Sequence, residues 1–167
     1  MDSQDSLLSY ALDAGAFYTG FVFGASLNRY YITPAIFNEI KHIKKSSGAI
    51  EALIESNKLQ ILDSDRKSVE KVLSVALRTG DYAKLSEADI SIIALAFQRN
   101  ITLLTNDYAV ANVALRMKIP IKSTASRGTI RTRNWTTYCS ACGKTFGAYA
   151  KECRLCGNRL RRKYKDV

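Results

Sequence analysis

The sequence predicts an α/β fold, a parallel sheet flanked by helices, with a small four-cysteine ribbon at its C-terminal end. Three observations predict it. Strand-like and helix-like segments alternate through residues 1–122, the order that builds a parallel sheet covered on both faces. All four cysteines lie between positions 139 and 156, in two Cys-x-x-Cys pairs. The charge is also split: residues 1–122 carry 14 basic and 13 acidic side chains, a net of +1, whereas residues 123–167 carry 11 basic and two acidic ones, a net of +9. With 167 residues, 47% of them apolar, the chain has room for one ordinary domain plus an appendage and enough apolar surface for a core.

The elements follow in order. Leu7–Leu12 is a short apolar run that ends at Asp13. Tyr30–Thr33 reads as a strand, and Thr33-Pro34 supplies an N-cap and a proline at the first helical position, predicting a helix to about Lys45. A second amphipathic helix is expected from Gly48 to Glu55, then a strand at Leu59–Leu62. Ser64 is expected to cap a helix reaching Thr79, and Ser86 one reaching Arg99. Ile101–Thr105 reads as a strand, Asn106 as the cap of a helix to about Lys118, and Ile119–Lys122 as a closing strand. Residues 123–134 are polar, hydroxyl-rich and aperiodic, the pattern of a basic linker, and 135–167 form the ribbon with its basic tail.

The ribbon reads Cys139-Ser-Ala-Cys142-Gly143 and Cys153-Arg-Leu-Cys156-Gly157. Two such pairs offer four thiolates tetrahedrally to one Zn²⁺. Gly143 and Gly157 stand where a knuckle turns with positive φ to aim backbone N–H groups at sulfur. Redox dithiols or a disulfide framework is the competing reading. The zinc is expected to be structural, because four thiolates leave no open coordination position and about 30 residues cannot fold without a staple. Arg127, Arg131 and Arg133 of the linker, with Lys144, Lys151, Arg154, Arg159, Arg161 and Arg162 of the ribbon, are the candidate contacts to a polyanion. Tyr138, Phe146 and Tyr149 among them suit base stacking on RNA, or equally the filling of a small core.

In parallel sheets the ligand site lies beyond the carboxyl ends of the strands. Asp13 follows the first strand directly and Asp107 follows Ile101–Thr105 by two residues. Glu39 falls on the stripe Ala35, Ile36, Ile40, Ile43, and Asp89 shares a helix face with Ile92, Ile93 and Ala96, so both are expected to point toward the core side. Each acid alone has a structural explanation as a cap or turn residue. Together Asp13, Glu39, Asp89 and Asp107 offer the oxygen ligands of a Mg²⁺ or Mn²⁺ site. His42, the sole histidine, receives no role, and neither a Walker loop nor a dinucleotide-binding glycine pattern is present. The apolar stretches fall short of the roughly 20 residues that span a bilayer and the N-terminus is acidic, so a cytoplasmic rather than membrane or secreted protein is expected.

Leu12-Asp13-Ala-Gly-Ala-Phe17, Pro34-Ala-Ile-Phe-Asn-Glu39-Ile, Leu85-Ser-Glu-Ala-Asp89 and Leu104-Thr-Asn-Asp107-Tyr resemble the elements of a PIN domain, a metal-dependent ribonuclease fold. A PIN-like domain followed by a Cys₄ ribbon is similar to the Nob family of ribosome-maturation endonucleases in its short archaeal form. That resemblance implies cleavage of precursor small-subunit (16S) rRNA at its mature 3′ end, with one or two catalytic Mn²⁺ or Mg²⁺ ions and one structural zinc. The four acids would be the catalytic residues, the products a 3′-hydroxyl and a 5′-phosphate, and the partners the precursor rRNA and the pre-small ribosomal subunit. The alternatives are a PIN ribonuclease of the toxin or RNA-decay type and a non-catalytic RNA-binding assembly factor. No feature of the sequence specifies an oligomeric state.

Overall fold

The structure, a computed structural model, describes residues 8–24, 28–43, 47–124 and 133–166. Five strands, β1 (Ser9–Leu12), β2 (Arg29–Ile32), β3 (Leu59–Ile61), β4 (Thr102–Leu104) and β5 (Ile121–Lys122), form one parallel sheet in the order β3-β2-β1-β4-β5. Central β1 pairs on both sides, Ala11 lying opposite Tyr31 and Leu103. Ala11, Leu12, Ile32, Leu103 and Leu104 are completely buried, as expected of apolar runs covered on both faces of a parallel sheet.

The helices are α1 (Gly15–Tyr18), α2 (Pro34–Ile40), α3 (Ser47–Glu55), α4 (Arg66–Thr79), α5 (Glu87–Arg99) and α6 (Tyr108–Arg116), with 3₁₀ turns at Phe21–Phe23 and Tyr82–Lys84. Several boundaries differ from the sequence expectation: β5 begins at Ile121 rather than Ile119, β6 begins at Arg133 within the segment read as linker, and three more have a visible physical reason. α2 stops at Ile40 rather than Lys45, where the N–H of Ile43 bonds the Ile40 carbonyl three residues back and the α ladder is not continued. α4 is capped by Asp65, not Ser64: its Oδ1 accepts from the Ser68 N–H at 2.7 Å. α6 is capped by Asp107, not Asn106, because the Asn106 amide oxygen is engaged instead by Ser123 and the Thr124 N–H. Ser86 caps α5 as expected, in a capping box closed by Asp89.

Strand order reverses between β1 and β4, whose onward connections leave to opposite sides. That switch point opens a crevice at the carboxyl ends of the two strands.

The ribbon is an antiparallel sheet of β6 (Arg133–Tyr138), β7 (Thr145–Phe146) and β8 (Arg161–Asp166) in the order β7-β6-β8. It docks directly on the body. The Asn112 amide, buried on α6, donates to the carbonyl of Arg133 at 2.7 Å and to Asp81 Oδ2 at 2.6 Å, while its Oδ1 accepts the Arg133 N–H at 2.6 Å. Arg116 donates to Asn134 at 2.6 Å, and Arg162 donates to the Gly80 carbonyl at 2.9 Å. At Gly80, which closes α4 with φ +81°, an added Cβ would lie 2.5 Å from Ala148 Cβ and 2.9 Å from Trp135 Cβ. Only glycine satisfies both the backbone conformation and the approach of the ribbon.

Candidate active site and four-cysteine centre

Asp13 continues β1, its N–H bonding the Leu104 carbonyl of β4 at 3.1 Å, so the ladder itself fixes its place at the switch point. Its side chain is buried. Thr105, at the end of β4, donates its hydroxyl to Asp13 Oδ2 at 2.7 Å and accepts the Asp107 N–H at 3.0 Å. One hydroxyl thus ties both aspartates to the strand ends. Asp107 Oδ1 accepts from the Ala109 and Val110 N–H groups at 2.6 and 3.1 Å. Asp89 Oδ2 accepts from the Ser86 N–H at 2.7 Å. Asp89 and Asp107 are thus each held through one oxygen by backbone N–H groups, while the Asp13 carboxylate is held by the Thr105 hydroxyl and by the Ala14 N–H.

Glu39 differs from expectation. It is exposed on α2, at the rim rather than on the apolar face, because α2 turns its buried side through Ile36 and Ile40. It nevertheless belongs to the same electrostatic cluster. Burial pushes the Asp13 carboxyl above the ordinary range, Thr105 draws it back, and the charges of Asp89 and Asp107 push it up again. Partial burial, then the charges of Asp89 and Asp13, raises Glu39. α2 and α5 are joined at this point by the Thr33 and Ser91 hydroxyls, 2.7 Å apart. An open cleft of about 540 Å³ runs beside them, lined in part by Thr33, Asn38, Glu39, Ser86 and Ser91. Among the described residues no three of these carboxylates come within 4.8 Å of one another, so the structure groups them at one crevice without closing them on a single point. Hard oxygen donors of like charge are the chemistry that Mg²⁺ or Mn²⁺ takes, ions that retain several of their waters.

The four cysteine sulfurs gather within 4.8 Å of one another, the only such cluster of potential metal ligands among the described residues. Cys139 and Cys156 stand 3.5 Å apart, Cys142 and Cys153 3.6 Å. These separations exceed a disulfide bond of about 2.05 Å and approach the edge of a tetrahedron with Zn–S bonds of about 2.3 Å. Gly143 and Gly157 have φ of +71° and +68°, and their N–H groups close the knuckles on the Cys139 and Cys153 carbonyls, each at 2.9 Å. The Cys142 N–H directed at its sulfur, against the opposing effect of burial, brings Cys139 down to about 6. For Cys156 the Asn158 N–H is outweighed by the neighbouring thiols, burial and the Cys139 charge, which hold it up to about 12. The four sulfurs can bind one metal ion without rearranging the fold.

Of the candidate polyanion contacts, Lys144, Lys151, Arg154, Arg159 and Arg161 are exposed on the ribbon. Arg133 is half-buried between two tyrosine rings, and Arg162 lies over Trp135 while bonding Gly80, so both hold the ribbon to the body. Arg127 and Arg131 lie outside the described residues. Sequence reasoning missed Thr105 as the tie between the two aspartates; its only signal was a hydroxyl residue at a strand end, two positions before an acid. It also missed Asp81, Asn112 and Gly80, which look like ordinary loop and helix residues until the ribbon is in place.

The five-stranded parallel order, with its crevice at the strand switch point, defines a PIN-type body carrying a ribbon whose four cysteines lie close enough to bind a metal. Residues 11–98 match the family described as the PIN domain of ribonuclease. The chain is 33% identical to endoribonuclease Nob1 of Methanocaldococcus jannaschii over 154 residues, covering 91% of this chain and 76% of that protein. It is 33% identical to endoribonuclease Nob1 of Pyrococcus abyssi over 116 residues, covering 70% and 71%. It is also 33% identical over 79 residues to the 20S-pre-rRNA D-site endonuclease NOB1 of Saccharomyces cerevisiae, covering 47% of this chain and 17% of that protein. The chain belongs to the Nob1 family of PIN-domain endoribonucleases.

Proposed function

We propose that the chain is a divalent-metal-dependent endonuclease that cuts precursor small-subunit (16S) rRNA at its mature 3′ end during ribosome biogenesis. The observation that carries the reading is the tie between Asp13 and Asp107 through Thr105 at the strand switch point, with the charges of Asp89 and Glu39 bearing on the same site. A structural role accounts for Asp89 and Asp107 as helix caps. It does not account for Asp13, whose burial beside like charges is costly without a cation. The substrate is supported by the names of the relatives, one of which is called a pre-rRNA D-site endonuclease, and by a 91% alignment that must run into the cysteine-bearing segment.

Asp13, Asp89 and Asp107 would hold the ion, drawing closer than they stand here, and Glu39 at the rim would complete the ligand set or orient the attacking water. A divalent ion there supplies Lewis acidity, acidifying water and offsetting phosphate charge. The exposed cations of the ribbon grip the RNA backbone and offset the repulsion between phosphate and the acids. The four sulfurs hold one zinc ion, which supports the ribbon and takes no part in the chemistry. Products carry a 3′-hydroxyl and a 5′-phosphate, and the working partner is the pre-small ribosomal subunit in the cytoplasm.

The test is end-mapping of RNA cut by the purified protein with Mn²⁺, using a mixture of precursor 16S RNA, transfer RNA and messenger RNA. One cut at the mature 3′ end, with 5′-phosphate on the downstream fragment, is expected. Preferential cutting of the other RNAs would move the protein to the toxin or decay class.

A further inference from the structure

Tyr108 is the first residue of α6, directly after Asp107, and it is 58% exposed. A single exposed aromatic is ordinary on a protein surface. The company of this one is not. The Arg133 guanidinium lies 5.1 Å from the Tyr108 ring centre and 4.2 Å from that of Tyr164, itself 48% exposed. Tyr164 meets Trp135 edge to face, with ring centres 5.3 Å apart. Over Trp135 stand Lys84 at 4.7 Å and Arg162 at 4.5 Å. Rings and cations thus form one continuous ladder that starts beside Asp107 and crosses the joint onto the ribbon.

Holding the ribbon in place accounts for the inner rungs, Arg133 and Trp135. It does not account for the outer ones, since Tyr108 and Tyr164 each leave about half their surface in water, where a packing role would have buried it. Among the described residues neither Lys84 nor Arg162 forms an ion pair: Lys84 shares its pocket with Asp81, which is bonded to Asn112, and Arg162 donates an N–H to the Gly80 carbonyl, a neutral acceptor that leaves its charge in place. Flat rings that keep about half their surface in water, on a surface that also carries Lys84 and Arg162, match an unpaired nucleic-acid strand, whose bases stack on rings while its phosphates seek cations. A duplex buries its base faces and offers nothing to a ring.

We propose that Tyr108 and Tyr164, with Lys84 and Arg162 beside them, form a stacking site for unpaired nucleobases of the RNA strand next to the cleaved bond. Tyr108 directly follows Asp107 in the chain while its ring lies with Lys84, Arg133 and Trp135, so a base stacked there belongs to a nucleotide a short way along the strand from the phosphate at the acids. The site rests on the endoribonuclease reading and adds to it a rule: binding near the cut depends on the presence of the bases, not on the backbone alone. Stacking tolerates any base, so sequence preference there is weak.

The test uses the full zinc-loaded chain carrying Asp13→Asn, so that binding is read without cleavage. Fluorescent RNA spanning the small-subunit 3′ junction is scanned with single abasic nucleotides. The expected result is a loss of affinity on the order of tenfold at one or two positions flanking the junction. Adding Tyr108→Leu weakens intact RNA by a similar factor and abolishes the abasic effect at one of those positions, whereas Tyr108→Phe behaves as the parent. Equal abasic responses in parent and Tyr108→Leu, or no abasic effect in the parent, would overturn the proposal. Should Tyr108→Leu melt well below the parent, photocrosslinking of 5-iodouridine RNA to the parent decides: crosslinks at Tyr108 or Tyr164 support the site, and crosslinks at neither overturn it. Wild-type cleavage is scored on the same RNA. No cleavage with the abasic effect intact removes the nuclease reading alone; cleavage without the effect removes the stacking site alone.

Discussion

The Thr105 hydroxyl donates to Asp13 Oδ2 at 2.7 Å and accepts the Asp107 N–H at 3.0 Å, linking two acids 94 positions apart in the chain. This one group orients a buried carboxylate and the start of a helix at the same time. Thr105→Val keeps the shape and removes the hydroxyl. Supporting hydrogen bonds of this kind, when lost, typically cost 10- to 100-fold in metal affinity or activity. We expect that loss, with the Mn²⁺ requirement displaced to higher concentration, and retention of most activity in Thr105→Ser. A titration of cleavage rate against Mn²⁺ for the three proteins checks it.

Asp13 makes the ion-free protein less stable than it would be without the charge. Its folded pKa is raised above the ordinary value of 3.8, first by burial and then by neighbouring acids. The penalty is absent while the carboxyl is protonated in both states, and it grows as pH rises from about 4 through the folded pKa. Asp13→Asn keeps an acceptor for Thr105 and carries no charge. Its melting temperature should match wild type near pH 4 and exceed it by a few degrees at pH 7, at about 2–4 °C per kcal/mol. Mn²⁺ should close the gap by raising wild type alone. Melting curves with and without Mn²⁺ across that range decide it.

Gly80 is the tightest point of the joint between body and ribbon. In Gly80→Ala the new methyl meets Ala148 and Trp135, and the positive φ becomes unfavourable. Overpacking and the left-handed conformation together should cost about 2–4 kcal/mol, concentrated on docking. The expected signature is faster limited proteolysis at the joint and a lower melting temperature, with zinc content unchanged. Loss of zinc in this variant would mean that the joint and the knuckles fold as one unit.

Removing a proposed zinc ligand should act the other way round. Cys153→Ser deletes a buried sulfur of the four-cysteine cluster. Zinc content measured by elemental analysis should fall from one ion per chain to almost none. On the proposed zinc role, proteases should then cut between residues 133 and 166 while the body survives, because a ribbon of this size would draw much of its folding energy from the metal.

The sheet, the capping box at Ser86 and the cysteine knuckles were legible in the sequence because each is set by local chemistry: apolar period, cap spacing, glycine after cysteine. That Asp13 and Asp107 lie just beyond the ends of β1 and β4 was legible from their positions after apolar runs. Glu39 was read onto the wrong side of α2, since the periodicity of one short helix leaves its angle against the sheet undetermined. The cap of α6 was read one residue early, because Asn106 and Asp107 both suit a cap and only the pull of Ser123 and Thr124 on Asn106 chooses between them. The docking of the ribbon was not legible at all. It depends on Asn112 meeting the backbone of Arg133 and on Gly80 meeting Trp135, contacts between residues 21 and 55 positions apart.

The central claim is that Asp13 holds the ion that cleaves RNA, and one assay tests it most directly. Wild type and Asp13→Asn are incubated with RNA spanning the small-subunit 3′ junction, with and without Mn²⁺, while binding is measured in parallel. The account predicts a single cut at the junction by wild type with Mn²⁺ and none by the variant, with RNA affinity preserved in both. Equal cleavage by the two proteins, or tight binding and no cleavage by either, would contradict it.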